Sequence, residues 1–258
     1  MERTSQDRSV RVAALQPWLA EETDTERLDR IRRLLDEADE ADLIVLPELW
    51  RIGYANFAQY GRRAEALDGD TARFLRKEAR KRRAYLLGGT LLERDGQRLY
   101  NTAVLFTPEG TLVASYRKTH LLAYHSQERA LLDPGENHCV IETPVGTLGI
   151  AVCYDLRFPD LFGAMSRAGA EIFLVPAAWP RTRREAWEAL SRARAVENQA
   201  YVIACGTAGP NALGQSTVVD PWGVQTARLG SREGVLSTRI DLQALRGYRA
   251  EFTAWRER

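Results

Sequence analysis

Two hydrophobic periods alternate along this chain, and the switches between them outline its elements. "SVRVAALQP" (9–17) is an apolar run closed by Pro17, the pattern of a strand. Thr23 and Glu26 then have capping-box spacing, and Leu28, Ile31, Leu34, Leu35 and Ala38 follow at helical spacing. "DLIVLPE" (42–48) is apolar without alternation, which suits a strand covered on both faces. "DTARFLRKEARKRRA" (70–84) predicts an amphipathic helix with Asp70 as its N-cap, and "AYLLGGTLLE" (84–93) a strand.

The texture then changes. "YNTAVLFTPEGTLVASYRK" (100–118) reads as a hairpin about Pro108-Glu109-Gly110, and "HCVIETPVGTLGIAVCYD" (138–155) repeats the pattern about Pro144-Val145-Gly146. A helix from Pro159, a strand at 171–179 and a long helix near 183–198 come next. The strands "AYVIACGT", "GQSTVVDPWG" and "GVLSTRID" follow. Strands that alternate with helices but also pair as hairpins predict a mixed α/β fold, not a pure βαβ series. No linker, repeat or composition shift marks a boundary, so residues 1–258 read as one domain. With 45% hydrophobic residues, that length suffices for one sizeable core.

Charge and cysteine usage narrow the function. The formal net charge is +1, so no basic excess points to nucleic acid or to an anionic membrane. No apolar stretch reaches the roughly 20 residues of a membrane span. The start, "MERTSQDRSV", lacks the apolar core of a secretory leader. Cys139, Cys153 and Cys205 lie far apart and form no CxxC pair, which predicts a reducing, cytoplasmic setting. The histidines, His120, His125 and His138, form no metal motif, so no protein-built metal site is expected. There is no GxGxxG entering a helix, no Walker motif and no GxSxG elbow.

The candidate chemistry sits at the exits of apolar strands, where ligand sites of open α/β sheets gather. "LIVLPE" ends in Glu48, "TLVASYRK" in Lys118 and "LGIAVC" in Cys153. If the three strands are neighbours and run the same way, a carboxylate, an ammonium and a thiol converge. A carboxylate could take the thiol's proton, and an ammonium would favour the thiolate and stabilise an oxyanion. The chain has 36 basic residues, of which only Lys77, Lys81 and Lys118 are Lys. Retaining Lys118 beside Arg117 therefore points to a need for a compact ammonium. Taken singly, each group has a plain structural reading: a core thiol, a loop-capping carboxylate, a solvated amine. Cys205, within "YVIACGT", reads as core.

These three segments, "VLPELW", "YRKTHL" and "AVCYDLRFPDL", resemble the three signatures of the nitrilase superfamily, the carbon–nitrogen hydrolases. "PAAW" (176–179), "RARAVENQAYV" (192–202) and "GQSTVVDPWG" (214–223) resemble that family's later segments in the same order. The resemblance implies a four-layer α-β-β-α sandwich with mixed sheets, usually paired as homodimers or higher homo-oligomers through helices after the Cys. It implies Glu48 as general base, Lys118 as the group that stabilises the tetrahedral intermediate, and Cys153 as nucleophile. Glu128, in "SQERALLDPG", matches the family's second, positioning Glu. The backbone N–H of Tyr154 would help to meet the oxyanion, and no cofactor is implied.

"CYDLRFP" and the ending "LRGYRAEFTAWRER" resemble the amidase branch near the bacterial omega-amidases, which release ammonia from 2-oxo acid amides. The implied partner is a small amide bearing a carboxylate, and its recognition needs a cation. Arg157 is a candidate, with a structural ion pair as the alternative. Tyr54, His125 and Trp179 lie just beyond strand ends as candidate pocket residues, with loop packing as the alternative. The Arg181–Arg184 cluster reads as a solvated helix start, with a second anion site as the alternative. Other readings left open are another superfamily amidase, an N-carbamoyl amino acid hydrolase, a nitrilase, and a catalytically silent binding protein with this fold.

Overall fold

A computed structural model describes residues 9–38 and 40–257. The first eight positions, part of the stretch read above as lacking a leader, lie outside the described residues. The chain opens with β1 (Ser9–Gln16), α1 (Asp24–Glu37), β2 (Leu43–Val45), α2 (Tyr60–Arg63) and α3 (Asp70–Arg82). It continues through β3 (Tyr85–Asp95), β4 (Arg98–Phe106), β5 (Leu112–Arg117), α4 (Glu128–Leu131), β6 (Cys139–Thr143), β7 (Gly146–Ile150) and α5 (Pro159–Arg167). The remaining elements are β8 (Ile172–Ala177), α6 (Arg184–Asn198), β9 (Tyr201–Gly206), β10 (Thr217–Val219), β11 (Gln225–Arg228), β12 (Gly234–Asp241) and α7 (Leu242–Glu251).

The strands form two six-stranded mixed sheets, in the orders β12-β1-β2-β3-β4-β5 and β11-β10-β9-β8-β7-β6. The period of two in β1 explains the layering. Val10, Val12 and Ala14 pack with residues of the second sheet, while Ala13 and Leu15 pack with Ile31 and Leu35 of α1 and Leu75 of α3. Phe162 and Met165 of α5 and Trp187 and Ala195 of α6 cover the other side of the second sheet. The result is the expected four-layer α-β-β-α sandwich. Cys205 is core, as read: its thiol donates to the carbonyls of Leu15 (3.1 Å) and Val45 (3.3 Å), pinning β9 to the facing sheet.

Both expected hairpins are present, as β4–β5 and β6–β7. The Thr23–Glu26 capping box also closes α1. Some expectations change. The strand read at 42–48 is only three residues long, because the chain turns at Pro47. Asp70 does not cap α3: the N-cap is Gly69, and the Glu65 carboxylate does the capping by accepting the Thr71 N–H at 2.9 Å. The strand β11 and the helix α7 had no counterpart in the sequence reading.

Candidate active site

Glu48 owes its direction to a bulge in the neighbouring strand. The β3–β4 register shifts between Leu87 and Thr90, across Gly88-Gly89. Gly89 has φ +66°, and a Cβ there would collide with the carbonyl of Pro47. Only glycine lets the 47–48 turn pass this close. The turn is then caught: Leu49 N–H donates to Thr90 Oγ1 at 2.9 Å and Trp50 Nε1 to the Gly88 carbonyl at 2.8 Å. Leu49 itself sits at φ +44°, a left-handed conformation that a branched side chain adopts only under constraint.

Lys118 follows β5 directly. Its N–H donates to the Asn101 carbonyl at 2.8 Å, and its own carbonyl accepts from Gly135 N–H at 2.9 Å. The "PG" of the sequence thus has a local reason, since a Cβ on Gly135 would strike the Arg117 carbonyl. Glu128 opens α4, and its Oε2 accepts the Leu122 N–H at 2.8 Å.

Cys153 arrives from the other sheet. It opens a 3-10 turn, Cys153–Arg157, with φ +47°. The buried carboxylate of Asp155 braces this turn and accepts four hydrogen bonds. They come from Val152 N–H (2.8 Å), Tyr116 Oη (2.8 Å), His120 N–H (3.0 Å) and His120 Nδ1 (2.8 Å). Asp155 therefore ties the Cys153 turn to the residues on either side of Lys118. His120, stacked on Phe158 with centroids 3.6 Å apart, is committed to this brace.

The four groups converge, but not from neighbouring strands as the strand-exit reading supposed. β2 and β5 run the same way in one sheet with β3 and β4 between them, and Cys153 comes from the facing sheet. Lys118 Nζ donates to Glu48 Oε1 at 2.8 Å and to Glu128 Oε1 and Oε2 at 2.9 and 3.1 Å. Glu48 Oε2 accepts the Ala178 N–H at 2.9 Å, and the field of the same carboxylate reaches the Cys153 thiol. Glu48, Lys118 and Glu128 keep at most 1% exposure and Cys153 keeps 8%, so a reagent entering the site meets the thiol first.

Burial alone would push the Lys118 ammonium down, but Glu48 and Glu128 outweigh it and hold it charged, well above its ordinary range. Burial also drives the Cys153 thiol well above its ordinary range. Glu48 adds to that shift and Lys118 opposes it. The ammonium favours the thiolate, as expected, but burial and Glu48 outweigh it, so the thiol rests protonated. Its activation therefore requires proton transfer to the adjoining carboxylate at the moment of attack.

Asn101 was not among the expected site residues. Its Nδ2 donates to Glu48 Oε1 at 2.9 Å and to Glu128 Oε1 at 3.0 Å, so it bridges the two carboxylates alongside Lys118. The only available signal was its polarity inside the apolar run of β4. Asp155 was missed too, although it stands two residues from Cys153.

The expected pocket residues divide. The Tyr54 hydroxyl lies 2.8 Å from Ser126 Oγ and donates to Glu128 Oε2 at 3.3 Å, which places Tyr54 at the cluster. Trp179 is buried next to Ala178, and its Nε1 donates to the Arg183 carbonyl at 2.7 Å. The Arg157 guanidinium lies 5.4 Å from the Trp179 ring and makes no ion pair among the described residues. Tyr154 is half-buried, edge-on to Phe158. His125 is exposed at φ +51°, with its ring against Tyr124, and contacts none of the four central groups.

A buried thiol within the field of a carboxylate, with an ammonium between that carboxylate and a second one, is suited to acyl transfer through sulfur. Residues 11–250 match the carbon–nitrogen hydrolase family model. The chain is 36% identical over 261 residues to omega-amidase NIT2 of Xenopus tropicalis, covering 95% of this chain and 94% of that protein. It is 34% identical over 245 residues to 2-oxoglutaramate amidase of Paenarthrobacter nicotinovorans, covering 90% and 83%. Among solved structures, Nit3 of Saccharomyces cerevisiae, a member of branch 10 of the nitrilase superfamily, superposes with a TM-score of 0.86 at 32% identity over 94% of each chain. The chain belongs to the carbon–nitrogen hydrolase family, the nitrilase superfamily, in its amidase branch.

Proposed function

We propose that the chain hydrolyses small carboxylate-bearing amides, 2-oxo acid amides in the omega-amidase manner, through a thioester on Cys153. The observation that carries this reading is the buried Glu48–Lys118–Glu128 cluster, with Lys118 Nζ 2.8 and 2.9 Å from the two carboxylates, and the buried Cys153 thiol within its field. Cys153 Sγ bonds to the amide carbon as its proton passes to Glu48. The oxyanion is met by Lys118 Nζ and by the Tyr154 N–H, which lies in the first turn of the 153–157 segment and has no acceptor within it. The C–N bond breaks, and ammonia leaves with the proton from Glu48. Water then gives a proton to Glu48 and adds to the thioester; the C–S bond breaks and the thiol recovers its proton. Glu128 and Asn101 position Lys118 and Glu48.

Arg157, with no carboxylate of its own, is the cation for the substrate's carboxylate, and Tyr54 and Trp179 line the approach to it. The names of the two curated relatives, an omega-amidase and a 2-oxoglutaramate amidase, favour the same substrate class. Pairing with a second copy through the helices after Cys153 belongs to this reading. It is supported by the exposed Val196 of α6 and, on the same side of the fold, Trp222, which stacks on Tyr248, and Phe252. A cytoplasmic setting accords with Cys139, Cys153 and Cys205 being free thiols.

An ammonia-release screen tests the substrate class, using 2-oxoglutaramate, 2-oxosuccinamate, glutamine, simple amides, nitriles and N-carbamoyl amino acids. Highest kcat/KM for a 2-oxo acid amide is expected. A preference for nitriles or carbamoyl compounds overturns the reading.

A further inference from the structure

The chain's arginines offer a comparison set. Among the described residues, the buried and half-buried arginines nearly all end on an acceptor. Arg11, Arg27, Arg30, Arg51, Arg63, Arg82 and Arg117 pair with carboxylates. Arg194 and Arg249 donate to backbone carbonyls. Two half-buried guanidiniums have neither: Arg157 and Arg183. Each instead lies against an aromatic ring, Arg157 5.4 Å from the centroid of Trp179 and Arg183 5.2 Å from that of Tyr124.

Both rings border the site. Trp179 directly follows Ala178, whose N–H holds Glu48, and the Trp179 indole is anchored on the carbonyl of Arg183 itself. Tyr124 lies in the short loop between Leu122, whose N–H holds Glu128, and Ser126, which meets the Tyr54 hydroxyl. The Arg183–Tyr124 contact thus bridges the loop after β8, which holds Glu48 through Ala178, and the loop before α4, which holds Glu128 through Leu122. A guanidinium lying over a ring engages its face, and its five N–H groups lie in its own plane. Arg157 and Arg183 therefore present unengaged donor edges on either side of Trp179, while the other sheltered arginines among the described residues are paired.

We propose that Arg183 is a second substrate-recognition residue, which shares with Arg157 the distal carboxylate of the amide and, in a 2-oxo acid, the adjoining keto oxygen. Arg181 and Arg184 remain the exposed helix start read from the sequence, and Arg183 alone takes the alternative, an anion-binding role. That role rests on the carboxylate-bearing substrate proposed above. Two forks against one carboxylate and its neighbouring carbonyl offer more donors than a lone carboxylate needs, which favours a 2-oxo acid over a neutral amide of equal length.

The test is the ratio of kcat/KM for 2-oxoglutaramate to that for pentanamide, measured for the wild type, Arg183→Gln, Arg183→Lys and Arg157→Gln. A hydrogen bond to a charged group contributes about 1.5–3 kcal/mol, so Arg183→Gln should lower the ratio at least about tenfold, mainly through KM. Arg183→Lys, which keeps the charge without the fork, should recover part of it. Equal losses on both amides, or an unchanged ratio with the wild-type preference intact, would overturn the role of Arg183. A wild type that does not favour 2-oxoglutaramate over pentanamide would instead overturn the substrate reading beneath it. Circular dichroism of each variant guards against misfolding, and the inhibition constant of glutarate, expected to rise in Arg183→Gln, gives a reading independent of turnover.

Discussion

The buried charge cluster makes a prediction that separates stability from chemistry. Glu48 and Glu128 are fully buried and are held together by one ammonium and one neutral amide. Lys118→Met keeps the length of the side chain and removes the charge. Both Oε1 atoms lie within 2.9 Å of Nζ, at 2.8 and 2.9 Å. The two oxygens are therefore less than about 6 Å apart, and at an effective dielectric of about 20 two unit charges at that distance repel by about 3 kcal/mol. Lost hydrogen bonds add to this, so Lys118→Met should destabilise the fold by about 3–5 kcal/mol, the usual cost of breaking a buried pair. Removing one carboxylate as well relieves the repulsion. The double variant Lys118→Met/Glu128→Gln should accordingly regain about 3 kcal/mol over the single one in urea unfolding while still releasing no ammonia. A double variant no more stable than Lys118→Met would refute the electrostatic account of the cluster. Restored turnover would refute the role given to the ammonium.

Three further outcomes follow from the same contacts. Asn101→Leu should lower kcat about 100-fold and cost about 1–3 kcal/mol in urea unfolding, by taking a donor from both buried carboxylates; kcat near wild type would exclude a positioning role. Arg249 ties the ends of α5 and α6 through the carbonyls of Ala170 (2.6 Å), Asn198 (3.1 Å) and Gln199 (2.8 Å), and burial lowers its pKa to about 10. Arg249→Met should cost about 3 kcal/mol in urea unfolding, and a loss below about 1 kcal/mol would contradict that. The last outcome concerns pH. A group whose pKa is raised on folding stabilises fully below its unfolded value and loses that contribution as pH rises towards the folded one. Cys153, ordinarily at 9.0, is raised by burial and by Glu48, so stability should fall by about 1.4 kcal/mol per pH unit above 9 on its account. Cys153→Ala should flatten that alkaline limb, and identical slopes in the two proteins would contradict the raised thiol.

How much of this was legible depends on how local each signal is. The Thr23–Glu26 box, the hairpin turns and the helix starting at Pro159 are set by residues a few positions apart, and the chain shows them. Glu48, Lys118 and Cys153 could be picked out because each closes an apolar run. That two of them leave one sheet and the third the facing sheet could not be read, since the pairing of β7 with β8 and of β2 with β3 is long-range. Asn101 is a single polar residue in a buried strand, and its meaning comes only from two carboxylates 27 and 53 positions away. β11 has four residues and gives little period to detect. Gly247 interrupts α7, whose clearest signal, the Asp241 cap accepting from Gln243 and Ala244, stands at the end of a strand. The same distance effect hid Arg183: as a sequence it is one of a run of cations, and only its contact with Tyr124 sets it apart.

The central claim is a covalent one, and mass spectrometry of the intact protein tests it most directly. Wild type quenched in acid during steady-state turnover of 2-oxoglutaramate should carry an acyl adduct with the mass of the substrate less ammonia. The adduct should map to the peptide containing Cys153, be cleaved by hydroxylamine, and be absent from a folded Cys153→Ala variant that releases no ammonia. Turnover by Cys153→Ala, or an adduct on any other residue, would contradict the account.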